Sequence, residues 1–101
     1  VTSLASRSAP LTVRTESGAV VLELGDTLDE RTGGVLVDAV ASAVATTPER
    51  VDIDLTALTG WTAQGATSLV QCREMCRGLP DGLHYRTGRG AGREALLAAY
   101  R

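Results

Sequence analysis

VDIDLTALTGWTAQGATSL, residues 51–69, changes its hydrophobic period half-way along. Val51, Ile53 and Leu55 are apolar, with Asp52 and Asp54 between them. That two-residue period predicts a strand. Thr56 to Gly60 is short and turn-forming. Trp61, the only Trp in the chain, follows. From Thr62 the spacing changes. Ala63, Ala66, Leu69, Val70 and Cys76 fall close to one face of a helix. A strand, a tight loop and a helix start form a unit that α/β domains use for binding. The helix N-terminus offers free N–H groups and partial positive charge.

Upstream, Leu11 to Thr15 and Ala19 to Leu24 predict two strands joined by a hairpin turn at Glu16-Ser17-Gly18. Leu11 and Val13 alternate with polar residues, as an edge strand does. Val20, Leu22 and Leu24 are the core-facing set of the second strand. Gly25 to Asp29 reads as a loop, with Asp29 or Thr32 placed to cap a helix. Gly33 and Gly34 are poor helix formers and predict a weak or irregular first turn. Val35, Leu36, Ala39, Val40, Ala43 and Val44 then recur in pairs four apart, one apolar helix face. Thr46-Thr47-Pro48 ends it.

Downstream, the helix after Thr62 is expected to run to about Arg77, with Gly78 as its C-cap and Pro80 beyond. Leu83 to Thr87 predicts the last strand. Gly88-Arg89-Gly90-Ala91-Gly92 is a glycine-rich loop. Arg93 to Tyr100 predicts a closing helix with Ala95, Leu96, Ala99 and Tyr100 inward. The expected order is β-β-α-β-α-β-α. Two strand–helix–strand units imply mainly parallel pairing with right-handed crossovers, and the first hairpin adds an antiparallel strand. The expected fold class is therefore α/β, a small mixed sheet with helices packed against it. Residues 11–101 form the single domain, and residues 1–10 are expected to be a loose tail.

The same stretch resembles a known family. Asp54-Leu55-Thr56-Ala57-Leu58-Thr59 is similar to the "DLS-x-L" of the STAS domains, the family of bacterial anti-sigma factor antagonists. Gly65 and the helix after it match the end of that family's "DSSG" or "DSTG" motif. Leu22-Glu23-Leu24-Gly25-Asp26-Thr27-Leu28-Asp29 resembles its "L-x-G-x-L-D", with one extra residue after Gly25. Thr32 and Leu36 sit as in its "TA-x-x-L". The resemblance covers roughly residues 11–100. It implies the same α/β architecture and a non-catalytic protein-interaction role. The chemical centre departs from the family: Thr62 stands in the place of its Asp, Ala63 in the place of its phosphorylated Ser, and Gln64 in the place of the next hydroxyl residue.

Composition bounds the function. At 101 residues there is room for one core, and the apolar share of 44% suffices to build it. No apolar run approaches the ~20 residues of a membrane span. The net charge of −2 argues against a general nucleic-acid binder. All ten basic residues are Arg, and six of them lie in residues 73–101 against three acidic residues there. That third of the chain would suit an anion or an acidic partner. Val1 to Pro10 has no apolar core of a leader peptide, and the two Cys form no secreted framework, so a cytoplasmic protein is expected.

Each candidate site has a structural alternative. Thr62 is a helix N-cap or a shifted phosphosite. Trp61 is core filler or an exposed binding anchor. Cys72 and Cys76 share a helix face, but two thiolates with a single His84 are too few for a structural zinc site, so buried apolar thiols are expected and no metal. Arg89 and Arg93 flank a loop that would cradle an anion or simply turn. It lacks the Lys-Ser/Thr ending of a Walker loop. No serine elbow and no acidic cage exist, so no catalytic residue, no enzyme activity and no cofactor are expected.

The expected protein-binding surface is Trp61, Thr62, Ala63, Gln64 and Gly65, extended along the helix by Arg73, Glu74 and Arg77. By the resemblance, its partner would be an anti-sigma factor or related serine kinase. It would thus regulate transcription, without the usual serine switch. The resemblance also admits an accessory subunit bracing the ATPase of a bacterial lipid ABC transporter. A nucleotide- or anion-binding sensor using Arg89 and Arg93 is the third reading.

Overall fold

The computed structural model describes residues 11–100. The tail expected at residues 1–10 lies outside them. Among these residues six strands and three helices follow in order: β1 (Leu11–Glu16), β2 (Ala19–Leu24), β3 (Asp26–Leu28), α1 (Glu30–Ala45), β4 (Arg50–Asp54), β5 (Leu58–Trp61), α2 (Ala63–Met75), β6 (Gly82–Arg86) and α3 (Ala91–Ala99). The main sheet has the order β1-β2-β4-β6. β1 runs antiparallel to β2, and the other neighbours are parallel. This is the expected mixed, mainly parallel sheet, with β1 at its edge.

Alternation along the strands sets the two faces of the sheet. Val20 lies beside Val51 and Leu22 beside Ile53 on one face. These residues form the core with Leu36 and Val40 of α1, Leu69 and Cys72 of α2 and Ala95 of α3. The opposite face carries charge. Arg14 lies beside Val21, and Val21 beside Asp52. Asp52 is buried and accepts from Arg50 Nε and from Arg86 Nη2, both at 2.9 Å. A buried carboxylate needs such partners, because its desolvation is otherwise uncompensated. The arginines of this face also meet carboxylates at its rim: Arg86 lies 3.6 Å from Glu16, and Arg14 lies 2.8 Å from Glu16.

The structure differs from the sequence reading at several points. Gly25–Asp29 and Thr56–Gly60 were expected to be loops, yet a short strand lies within the first and another overlaps the second. β3 and β5 pair with each other in parallel, as a second sheet. The first turn of α1 is regular rather than weak. Asp29 caps it by accepting from the Thr32 N–H at 2.9 Å, while the Thr32 hydroxyl accepts from the Asp29 N–H at 2.9 Å. That reciprocal capping box offsets the low propensity of the two glycines. α2 ends at Met75 with Cys76 as its cap, so Gly78 is not the C-cap. Ala63 is exposed at the start of α2, not on its apolar face. Tyr100 was expected inward but is 44% exposed.

The glycines of α1 and α2 have different tasks. A Cβ on Gly65 would fall on the Leu28 carbonyl, and one on Gly33 would meet the Ser68 hydroxyl. Gly34 has open space around it. Gly34→Ala is therefore expected to stabilise the fold by about 0.5–1 kcal/mol, through helix propensity alone. Gly65→Ala is expected to cost about 1–3 kcal/mol by overpacking. Thermal unfolding should place the two variants on opposite sides of the wild type, each kcal/mol moving Tm by roughly 4–8 °C.

Candidate functional site

The chain turns sharply at the end of β4. Asp54 accepts from the Thr56 hydroxyl at 2.6 Å and from the Thr56 N–H at 2.9 Å. Burial pushes the Asp54 carboxyl up, but these hydrogen bonds outweigh it and hold the group below its ordinary value. The Asp-Leu-Thr sequence is thus a side-chain-closed turn. It delivers the chain into β5, which pairs Leu58 with Asp26, Gly60 with Thr27 and Trp61 with Leu28.

The next link is a second anchored step. The Thr62 N–H donates to the Leu28 carbonyl at 2.9 Å. The Thr62 side chain then caps α2, its oxygen accepting from the Gly65 N–H at 3.1 Å. Gly65 is buried against Leu28 and Asp29. Thr62, Ala63 and Gln64 are exposed. A rigid frame therefore presents one exposed helical turn. α2 has no acidic residue in that turn, so none of its own side chains there offsets the partial positive charge of its N-terminus.

The rest of the expected surface divides. Trp61 is half-buried and packs against the core, and its indole N–H lies 3.5 Å from Glu94. With Glu94, Leu97 and Ala98 it lines a cavity of about 280 Å³ between β5 and α3. It is neither full core filler nor a free anchor. Arg73 leans the same way, its guanidinium 5.7 Å from the Tyr100 ring centre. Glu74 and Arg77 pair with each other at 3.1 Å near the far end of α2. Gln64 lies on the other flank. There it lines a polar groove of about 300 Å³ between α1 and α2 with Glu30, Gly34, Thr67, Ser68 and Gln71. Sequence reasoning missed this groove. The small residues Gly33 and Gly65 were its signal, because they let the start of α2 lie close against α1 and its cap.

Arg89 and Arg93 are exposed beside the start of α3, whose cap, Gly90, makes no side-chain hydrogen bond. The glycines here have structural tasks. Gly88 takes a φ of +64°, and Gly92 is held against the Leu55 backbone. Cys72 and Cys76 are buried free thiols, and burial, with Cys76 nearby, pushes Cys72 up to about 12. His84 is exposed and contacts the Asp81 carbonyl at 3.2 Å. Tyr85 donates to the Leu69 carbonyl at 2.7 Å, tying β6 to α2; burial raises its pKa. Among the described residues no cluster of His, Cys, Asp or Glu is arranged to hold a metal ion. No helix among them is long and apolar enough to cross a membrane.

No family model and no curated protein matches the chain. Solved structures do. A crystal structure of an anti-sigma factor antagonist from Mycobacterium paratuberculosis superposes with a TM-score of 0.73 at 24% identity, over 86% of this chain and 74% of that one. The anti-sigma factor antagonist SpoIIAA, in its unphosphorylated form, gives a TM-score of 0.67 at 11% identity, over 86% of this chain and 81% of that one. A structure of Mglu gives 0.62 at 17% identity, over 77% of this chain but 19% of the other. The chain therefore has the STAS-like fold of the anti-sigma factor antagonists.

The half-buried position of Trp61 sets a testable magnitude. Full burial of a Trp would make its removal cost ~3–5 kcal/mol. Trp61→Ala is expected to cost less than that, about 2–3 kcal/mol, since part of the ring already meets water. Thermal unfolding of that variant measures it. A loss near the full-burial figure would make Trp61 a core residue.

Proposed function

We propose that this chain is a non-catalytic binding module that docks on an anti-sigma factor or a related serine kinase. By that binding it would regulate transcription in the bacterial cytoplasm. The observation that carries the reading is the exposed turn Thr62–Ala63–Gln64, mounted on a buried Gly65 within an antagonist-like fold. Free N–H groups and the helix dipole suit a carboxylate or carbonyl of the partner. Gln64 adds a side-chain donor and acceptor. Trp61 and Arg73 extend the contact toward α3, and Glu74 and Arg77 extend it along α2.

The module works without the usual serine switch. Ala63 has no hydroxyl to accept phosphate. The neighbouring Thr62 oxygen accepts a hydrogen bond from the Gly65 N–H. Phosphate there would add roughly −1.5 to −2 charges to the docking turn. Incubation with ATP and the cognate kinase is expected to leave Thr62 unmodified by mass spectrometry. Stoichiometric phosphate on Thr62 would make it a shifted switch.

Ala63→Glu tests the docking surface. An acidic residue in the first turn favours the helix, so melting should not fall. It also fills the turn with charge and bulk, so affinity for the partner kinase should drop about tenfold or more. Calorimetry on both proteins measures this. Unchanged affinity would move the interface elsewhere. Affinity purification that captures a transporter ATPase instead of a kinase would replace the regulatory reading with the accessory-subunit one. Micromolar ATP binding lost in Arg89→Ala plus Arg93→Ala would replace it with the sensor.

A further inference from the structure

Among the described residues nothing pairs with the outer edge of β1, and the chemistry of that edge is self-complementary. Its hairpin turn, Ser17-Gly18, has φ of +46° and +85°, the two positive values of a tight two-residue turn. Such a turn is closed by a bond between the residues that flank it, so the Glu16 carbonyl points toward β2. Orientation alternates along an antiparallel strand. The N–H and C=O groups of Thr15, Val13 and Leu11 therefore point away from the sheet. The side chains of the same three residues lie on the helix-side face, because Val13 is beside Leu22 and Thr15 beside Val20.

Among the described residues, α1 covers that face only in part at β1. Val13 is 60% exposed, one of three large apolar side chains so exposed among the described residues. It borders an apolar groove of about 300 Å³ with Thr15, Val20, Ala39, Ser42, Ala43 and Thr46. Edges are ordinarily guarded by Pro, by a bulge, by charged side chains or by a covering loop or helix. β1 has no Pro, its register with β2 is unbroken over all six residues, and its charges, Arg14 and Glu16, point to the opposite face.

We propose that β1 pairs antiparallel with β1 of a second copy, making one continuous sheet across a twofold axis. Outward-facing residues must meet outward-facing residues, which leaves few registers. Placing Val13 against Val13 of the second copy sets Leu11 against Thr15 and Thr15 against Leu11. Each such pair exchanges both of its N–H···O bonds. A two-residue slip one way sets Arg14 against Arg14, a repulsive pair. The same slip the other way shortens the overlap. The first register also joins Leu11 and Val13 of both copies into one apolar stripe over the groove. The other edge, β6, offers no such side chain: its Tyr85 is tied to Leu69 and Tyr100. This pairing uses a different face from the α2 turn and does not rest on the regulatory reading.

Sedimentation velocity from micromolar to millimolar protein tests it. The wild type is expected to double in mass as concentration rises. Thr15→Pro removes an N–H that β2 does not use, so it should keep the fold and abolish the dimer. Val13→Glu places like charges opposite each other and should weaken the dimer about tenfold or more, with melting unchanged. That second variant decides the matter if the Pro variant fails to fold. Under mild oxidation, Val13→Cys should give a covalent dimer, since directly opposed hydrogen-bonded residues have Cα atoms about 5.5 Å apart. Thr15→Cys should not. A wild type that stays monomeric throughout would overturn the proposal, as would a dimer that persists in Val13→Glu. Capture of an extended peptide on β1 by a monomeric wild type would overturn it in favour of a foreign strand.

Discussion

Gly65 has no room for a side chain, and much of the molecule depends on that. A Cβ there would meet the Leu28 carbonyl and the Asp29 Cα. The first turn of α2 therefore lies directly on the junction between β3 and α1. The same junction carries the capping box of Asp29 and Thr32, and the Thr32 hydroxyl also donates to the Thr27 carbonyl at 2.7 Å. Two helix starts and the end of one strand thus share a few backbone atoms. Such a node moves only as a unit, because close-packed elements are bistable rather than continuously deformable. The exposed turn above it inherits that rigidity. A binding surface on a preorganised helix start loses less entropy on docking than one on a free loop.

The long elements were legible because their hydrophobic periods are clean. Val51, Ile53 and Leu55 alternate with Asp52 and Asp54, and α1 repeats its apolar pairs every four residues. β3 and β5 carry no such signal. Asp26-Thr27-Leu28 is too short to alternate, and Gly60 interrupts the other. They are strands only because each meets the other, an interaction more than 30 residues apart in the chain. Gly33 misled in the same way. Local propensity marks it as a helix breaker. Its actual environment is the Ser68 hydroxyl on a neighbouring helix, which only tertiary packing can supply.

The site was legible in part for a related reason. Thr62 as N-cap follows from local chemistry, since a hydroxyl three residues before a buried glycine has one obvious acceptor role. The splitting of the surface does not follow from local chemistry. Gln64 and Arg73 lie on opposite flanks of α2 because α1 and α3 pack on its two sides. Only the third dimension distinguishes a groove toward α1 from a cavity toward α3. The acidic residues of the central strand show the same limit. Asp52 and Asp54 alternate identically in sequence. Yet Asp52 is clamped by Arg50 and Arg86 on the sheet face, while Asp54 closes a turn onto Thr56.

The two surfaces lie apart in the fold, and that has a physical consequence. β1 is at one edge of the main sheet, and α2 packs toward β6 at the other. Pairing through β1 would leave both α2 turns uncovered. A dimer would then offer two docking turns on one rigid sheet. When a partner is itself dimeric and its sites match that spacing, the second contact becomes intramolecular, and avidity exceeds either single affinity without any new contact. When the spacing does not match, the gain vanishes. A module with Ala63 in that turn could then be tuned by its own concentration. Occupancy would rise more steeply than for a monomer, because dimer formation and binding draw on the same mass action.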